Sequence, residues 1–271
     1  MFSPYYAWRG RSEPEDHCCL NVALYGRANR WCMTERGRHS VTRDATSFGI
    51  GPSRLDWDGS ALTVTIAETA VPHLMPVRGT IRLIPEAITD HEPALDAAGR
   101  HFWRPYAPLS RVEVDLSRPS LRWTGHGYLD ANYGSRGLED DFVHWNWSRA
   151  RVGDRARIFY EADRRDGSEL ALNLRFAPDG SVEALDSAPP RIALPGTLWR
   201  LRGRATRSEG EVRVLRRLED SPFYARGMLR AVLDGQPAET VHEAIDLDRF
   251  STRWCKALMP WRMPRATWWG G

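Results

Sequence analysis

Asp130 stands in the stretch GHGYLDANYG (125–134), among three glycines, two tyrosines and an asparagine, with no lysine or arginine in the stretch. Alternate side chains of an extended strand share a face. Tyr128, Asp130 and Asn132 therefore project together, and Leu129 and Ala131 face the other way. FVHWNWSR (142–149) repeats the device, with His144 and Asn146 on one side and Phe142, Val143, Trp145 and Trp147 supplying apolar surface. RHFWRPYAP (100–108) adds Phe102, Trp103 and Tyr106, and FSPYYAW (2–8) adds Tyr5, Tyr6 and Trp8. A carboxyl among aromatic side chains loses solvation, and burial raises its pKa. An aspartic acid still protonated at neutral pH is a Brønsted acid. Aromatic faces stabilise a cation that cannot hydrogen-bond, by roughly 0.5–2 kcal/mol per ring. Acid and aromatic cage together are what protonation of an unactivated alkene requires. The competing reading makes Asp130 a turn cap before Asn132 and Gly134, with the tyrosines in a core. Spacing alone leaves both open.

Other chemistries lack their residues. The sequence has no G-x-S-x-G, no G-x-x-x-x-G-K-[ST] and no H-E-x-x-H, and HEPALD (91–96) carries proline where a helix would be needed. No carboxylate–histidine cluster has metal-ligand spacing, so no metal is expected. Glu139, Asp140 and Asp141 are consecutive and cannot all face one cleft, so paired-carboxylate glycoside hydrolysis is a weak reading of what is expected to be a solvated loop. Cys18, Cys19, Cys32 and Cys255 form no C-x-x-C pair and read as thiols in a reducing compartment. The formal charge is +3, and the cations are arginines interleaved with acids apart from Lys256. That pattern is not a nucleic-acid footprint. No apolar run approaches the ~20 residues of a membrane span, and no secretory leader is read at the N-terminus. A cytoplasmic protein is expected, with the membrane surface open to it.

Short strands must position these side chains. ALTVTIAET (61–69), GTIRLIP (79–85), RVEVDL (111–116), ARIFYEAD (156–163), SELALNLRF (168–176), TLWRLRGRA (197–205) and EVRVLRRLE (211–219) alternate apolar and polar residues. Asp-Gly turns separate several of them. The expected class is all-β, a sandwich or barrel, and 271 residues suit two barrels better than one. The joint is placed near residue 118, dividing 1–118 from 119–271. Near the end, DLDRFSTRWCKALMPW sets Phe250, Trp254 and Leu258 four apart, a short helix stopped by Pro260. Beyond it, Trp261, Trp268 and Trp269 with Arg262 and Arg265 read either as a membrane-surface segment or as a tail packed on a barrel.

The segments FSPYYAWRGR, NVALYG…RWCMTERG, GYLDANYG…LEDDFVHWNWSRA and WRMPR together resemble the carotenoid 1,2-hydratases, grouped with AttH-like double-lipocalin proteins. The resemblance runs from about residue 2 to 264. Tyr133 stands where relatives often carry Trp, which keeps the aromatic. The resemblance implies two lipocalin-like antiparallel β-barrels with a short C-terminal helix. It also implies cofactor-free addition of water to the terminal C1–C2 double bond of an acyclic carotenoid, giving a tertiary alcohol. Combined with the residues, it makes Asp130 the acid that protonates C2, with Trp103 and Tyr128 flanking the cation at C1. Asn132 or His126 would hold the attacking water. Trp145, Trp147 and Tyr6 would line the polyene slot. The expected partners are the carotenoid, water and a membrane surface, with no nucleic acid. Two rivals share the scaffold, a non-catalytic carrier of a hydrophobic ligand and a carbocation or pericyclic cyclase.

Overall fold

The computed structural model describes residues 2–266, so Trp268 and Trp269 lie outside the described residues. The chain forms two compact units, both discontinuous in sequence. The first comprises 1–85, 110–127 and 256–271, and the second 86–109 and 128–255. The expected joint near residue 118 instead falls inside the first unit, because the two longest strands carry the chain from one unit into the other.

In the first unit, β1 (Val22–Leu24) pairs antiparallel with β2 (Arg30–Cys32). A seven-stranded sheet then runs in sequence order: β3 (Val41–Arg43), β4 (Ser47–Ile50), β5 (Ser53–Trp57), β6 (Leu62–Thr69), β7 (Pro76–Pro85), β8 (His101–Arg118) and β9 (Leu121–Gly134). Such a meander needs only short turns, which the Asp-Gly and Asp-Ser chemistry supplies: Asp58 Oδ1 accepts from the Ser60 and Ala61 amides at 2.8 and 2.7 Å. Val22, Cys32, Ile66, Val77, Val114 and Leu116 form its core. The second unit holds β10 (Phe142–Val152), β11 (Arg155–Arg164), β12 (Glu169–Phe176), β13 (Val182–Ala184), β14 (Arg191–Ala193), β15 (Ala205–Arg207), β16 (Arg213–Asp220), β17 (Tyr224–Leu233) and β18 (Gln236–Asp246). Its main sheet is ordered β13-β12-β11-β10-β18-β17-β16, with β14 and β15 paired apart. The all-β, lipocalin-like class is as expected, but neither seven-stranded sheet closes into a barrel.

Two expected elements take other forms. TLWRLRGRA is not a strand over most of its length: Arg200 and Gly203 adopt left-handed φ of 52° and 66°, and Leu198 is 83% exposed. Its alternation belongs to an exposed loop, and pairing starts only at Ala205. Short helices are α1 (Pro4–Trp8), α2 (Leu138–Asp141), α3 (Leu247–Ser251) and α4 (Arg253–Leu258). The last two replace one expected helix. Asp246 caps α3 through the Arg249 amide at 2.8 Å, and Thr252, extended at ψ 146°, breaks the run. Phe250 is buried, whereas Trp254 and Leu258 are exposed rather than continuing its stripe.

The tail packs. Arg265 is 4% exposed and reaches the fully buried Glu35 carboxylate, which also receives Ser3 and lies 2.8 Å from His17 Nδ1. Arg265 also bonds Asp16 at 2.9 Å, and Arg262 lies over the Trp31 ring at 4.1 Å. The membrane-surface reading is therefore overturned for Arg265, whereas Arg262 is exposed. A guanidinium with two carboxylate partners inside the protein is not presented to lipid. Trp261 does remain exposed.

Candidate active site

The second unit assembles the surroundings of Asp130. Trp103 enters from β8 and is fully buried. Its start is fixed by Asp96, whose Oδ1 accepts from the Arg100 and His101 amides at 2.8 and 2.9 Å. β8 also contains Pro105 and Pro108, which donate nothing to a ladder. The Pro108 carbonyl instead accepts from Arg149 at 2.7 and 3.1 Å. Tyr128, Asp130 and Asn132 come from β9, as their alternation predicts. Gly134 ends that strand where a Cβ would lie 2.4 Å from the Arg100 carbonyl oxygen, so only glycine fits the approach of β9 to the start of β8.

Asp130 accepts two hydrogen bonds on one oxygen. Trp103 Nε1–H donates to Oδ2 at 2.8 Å, and the Tyr128 hydroxyl donates to the same Oδ2 at 2.9 Å. Desolvation by burial raises the Asp130 pKa, against the two donors, which lower it. The Tyr128 phenol is held well above its ordinary value, first by burial and then by the Asp130 charge, so it stays a donor. With Oδ2 committed to two donors, a proton on this carboxyl resides on Oδ1. The same donors receive charge as that proton leaves.

Aromatic rings surround the acid. Trp103 lies 5.2 Å from Tyr160, Trp145 5.7 Å from Tyr160, and Tyr128 5.1 Å from Trp147, centroid to centroid. Tyr160 donates its hydroxyl to Asn132 Oδ1 at 3.0 Å. The Arg149 guanidinium lies 5.2 Å from the centre of the Tyr128 ring. Thus Asp130, Tyr128, Trp103, Trp145, Trp147 and Asn132 are brought together. His126 is exposed and belongs to the first unit, where Tyr6 also sits with its ring edge on His17, 5.3 Å away. Neither is among the side chains grouped around Asp130 in the second unit.

Sequence reasoning missed several participants. Tyr160 lies in a stretch whose alternation was visible, but β11 is buried on both faces, so polarity did not mark its inner side. Arg226 and Glu243 face each other across β17 and β18 and form an ion pair at 2.8 Å. The acidic run at 139–141 is not a solvated loop. Glu139 and Asp141 are buried, and Asp141 bonds His101 Nε2 at 2.7 Å and pairs with Arg100 and Arg136 at 2.9 and 3.2 Å. Among the described residues, no group of three His, Cys, Asp or Glu side chains could hold a metal ion.

Residues 1–270 match the family model described as "Carotenoid hydratase CrtC". The acyclic carotenoid 1,2-hydratase of Thiocapsa roseopersicina is 49% identical over 271 residues, covering 98% of this chain and 67% of that protein. The enzyme of the same name from Rhodobacter capsulatus is 42% identical over 272 residues, covering 99% and 96%. Among solved structures, a putative AttH from Nitrosomonas europaea superposes with a TM-score of 0.51 at 15% identity, over 77% of this chain and 72% of that one. That likeness is one of fold.

Proposed function

The chain belongs to the carotenoid hydratase family, and on that premise we propose how its residues divide the reaction. The protein is a hydro-lyase that adds water across the terminal C1–C2 double bond of an acyclic carotenoid, giving a 1-hydroxy product. In our reading Asp130 Oδ1 delivers its proton to C2, and the tertiary cation forms at C1. Trp103 and Tyr128 act first on the acid. Their donors hold Oδ2, keep Oδ1 turned outward and take up the charge left behind. The rings of Tyr128, Trp145, Trp147 and Tyr160 supply the faces against which the cation forms. The observation that carries this reading is the desolvated carboxyl with two donors on one oxygen. Burial raises the pKa of the carboxyl and so favours its protonated form, and the donors lower the cost of losing the proton.

The test is lycopene incubated with purified protein and no added cofactor. A product heavier by one water, absent with Asp130→Asn, is the expected result. An isomer without added oxygen would make the protein a cyclase. Stoichiometric binding without conversion would make it a carrier.

We also propose that the protein works peripherally on the cytoplasmic face of the inner membrane, where its substrate resides. Leu198, Trp199 and Trp254 are exposed, with the two indoles stacked at 6.3 Å, and Arg200, Arg202 and Arg253 stand exposed in the same segments. Indoles prefer the headgroup layer, and arginines favour an anionic one. No helix among the described residues is long and apolar enough to cross a bilayer. The four free thiols suit a reducing compartment.

A further inference from the structure

Protonating the alkene is half of the reaction; the attacking water must also lose a proton. Asp130, held by two donors on Oδ2, delivers its proton to C2, and the proton released by the water attacking C1 calls for an acceptor placed beside that water. A second carboxylate stands on the sheet that faces the acid. The strand register sets one continuous row across that sheet: Arg226 opposite Glu243, Glu243 opposite Trp147, and Trp147 opposite Tyr160. Directly opposed residues share a face, with Cβ atoms about 5 Å apart. That face is the inner one, because Trp147 contacts the Tyr128 ring and Tyr160 contacts Trp103. Glu243 is thus one residue across from the indole packed on Tyr128, the phenol that donates to Asp130.

Two details suit this place to water. The Trp147 indole N–H is buried with no hydrogen-bond partner among the described residues, an expensive state unless a water or ligand accepts from it. Arg226 donates to Glu243 Oε1 from Nε at 2.9 Å and from Nη2 at 2.8 Å, and the Tyr224 hydroxyl also hydrogen-bonds to Glu243. A carboxylate has about four acceptor sites, so Glu243 keeps capacity for a water. Its side chain is 22% exposed, so a proton taken there can leave to solvent. The Glu243 charge also helps to raise the Asp130 pKa, so the two carboxylates sense one another.

We propose that Glu243 is the base of the hydration and that, with the Trp147 N–H, it holds the nucleophilic water. This rests on the assignment of Asp130 as the acid. The indole N–H donates to the water oxygen, and the water donates to Glu243. Asp130 gives its proton to C2, and the alkene electron pair forms the new C–H bond. The water oxygen then bonds to C1 with a lone pair. The oxonium O–H bond breaks with its electrons staying on oxygen, and its proton passes to the Glu243 carboxylate. One water is added, Asp130 ends ionised and Glu243 protonated, and exchange with solvent restores both. Arg226 holds the Glu243 carboxylate in place between turnovers.

The experiment separates protonation from capture by running lycopene in D2O and measuring two quantities: hydroxylated product, and deuterium in the recovered hydrocarbon, including the isomer with its double bond shifted to a methyl carbon. Glu243→Gln should lower hydration by at least ~10²-fold while deuterium uptake falls less than ~10-fold, since general base catalysis is typically worth ~10²–10⁴-fold. Trp147→Phe, which keeps a ring and removes the N–H, should show the same split in smaller degree. Asp130→Asn should abolish both signals. Unchanged hydration in Glu243→Gln, or parallel loss of both signals, overturns the base assignment. If that variant does not fold, Glu243→Asp decides by the same ratio, with a ratio equal to wild type overturning it. Deuterium uptake that persists in Asp130→Asn would instead sink the acid assignment.

Discussion

Trp103 Nε1 lies 2.8 Å from Asp130 Oδ2, so a fully buried indole on one strand holds the carboxyl of the neighbouring strand by a bond to a single oxygen. Tyr128 adds a second donor to that oxygen. The acid is thereby oriented as well as desolvated, and its mutational behaviour follows from both.

Asp130→Asn keeps an acceptor for Trp103 and Tyr128 and removes the transferable proton. Hydration should fall by at least ~10²–10⁴-fold, the ordinary worth of general acid catalysis. Stability should move the other way. The folded Asp130 pKa is raised, chiefly by desolvation. Its contribution to stability is therefore full below the unfolded aspartate value and lost as pH rises through the folded value. The melting temperature of the variant relative to wild type should increase with pH across that window. A pH-independent difference between the two proteins would show that Asp130 is not buried as an acid.

Trp103→Phe keeps an aromatic ring beside Tyr160 and deletes the donor. A hydrogen bond to a charged group is worth about 1.5–3 kcal/mol, so hydration should drop on the order of 10–100-fold. Losing a donor to the carboxylate also raises the Asp130 pKa further, so the limb on which activity declines with rising pH should shift to higher pH. Trp103→Leu should lose more, because the contact with Tyr160 goes too. A Phe variant with wild-type rate and an unmoved limb would place Trp103 in the core alone.

Much of this site was legible because strand alternation is a local property. It set Tyr128, Asp130 and Asn132 on one face before any partner strand was known. Trp103 was recognisable as an aromatic neighbour but not as a donor, since its bond to Asp130 depends on how β8 lies against β9. Glu243 and Arg226 lie where no strand was read from the sequence, and only the β10–β18–β17 register places them beside Trp147. His126 follows the alternation of β9 yet is exposed and belongs to the first unit, whereas Tyr128 belongs to the second. The strand read at 197–205 failed for a related reason. Period-two polarity in an exposed loop mimics a half-buried strand, and nothing local announces the left-handed turn at Arg200.

His242 should make the protein labile to acid. It is fully buried on β18, its Nε2 is 2.8 Å from the Ala205 carbonyl, and burial lowers its pKa from 6.5 to about 4. The unfolded chain takes up a proton that the folded chain refuses between those values. Stability is therefore complete above the ordinary histidine pKa and is lost as pH falls toward about 4. At ~1.4 kcal/mol per unit, the loss is on the order of 3 kcal/mol. His242→Gln, which can still donate to Ala205, should flatten the decline of melting temperature from pH 7 to pH 4. Equal slopes for both proteins would assign the acid lability elsewhere.

The exposed indoles of the second unit should govern attachment to lipid. Replacing Leu198, Trp199 and Trp254 with serine should lower co-sedimentation with anionic vesicles and leave hydration of a short, detergent-soluble analogue near wild type. High salt should reproduce part of the defect, because attraction to headgroups is screened within ~8–10 Å. Unchanged vesicle binding at low salt would remove this surface from the proposal.

The last prediction concerns Arg265 and inverts what the composition of the tail suggests. Two arginines among tryptophans at a chain end invite a reading as a lipid anchor, in which case truncation would leave the fold intact. Arg265 is instead buried against Glu35, which is itself wholly buried and also bound by Ser3 and His17. Removing one member of a buried ion pair leaves an uncompensated charge and typically costs ~3–5 kcal/mol. Arg265→Met, and truncation before residue 262, should therefore lower the melting temperature by many degrees whether or not vesicles are present. Glu35→Gln paired with Arg265→Met should recover part of that loss, since the stranded carboxylate goes with its partner. An unaltered melting temperature in the Arg265→Met variant would show that the guanidinium is not holding Glu35, and the tail would again be free to serve a surface.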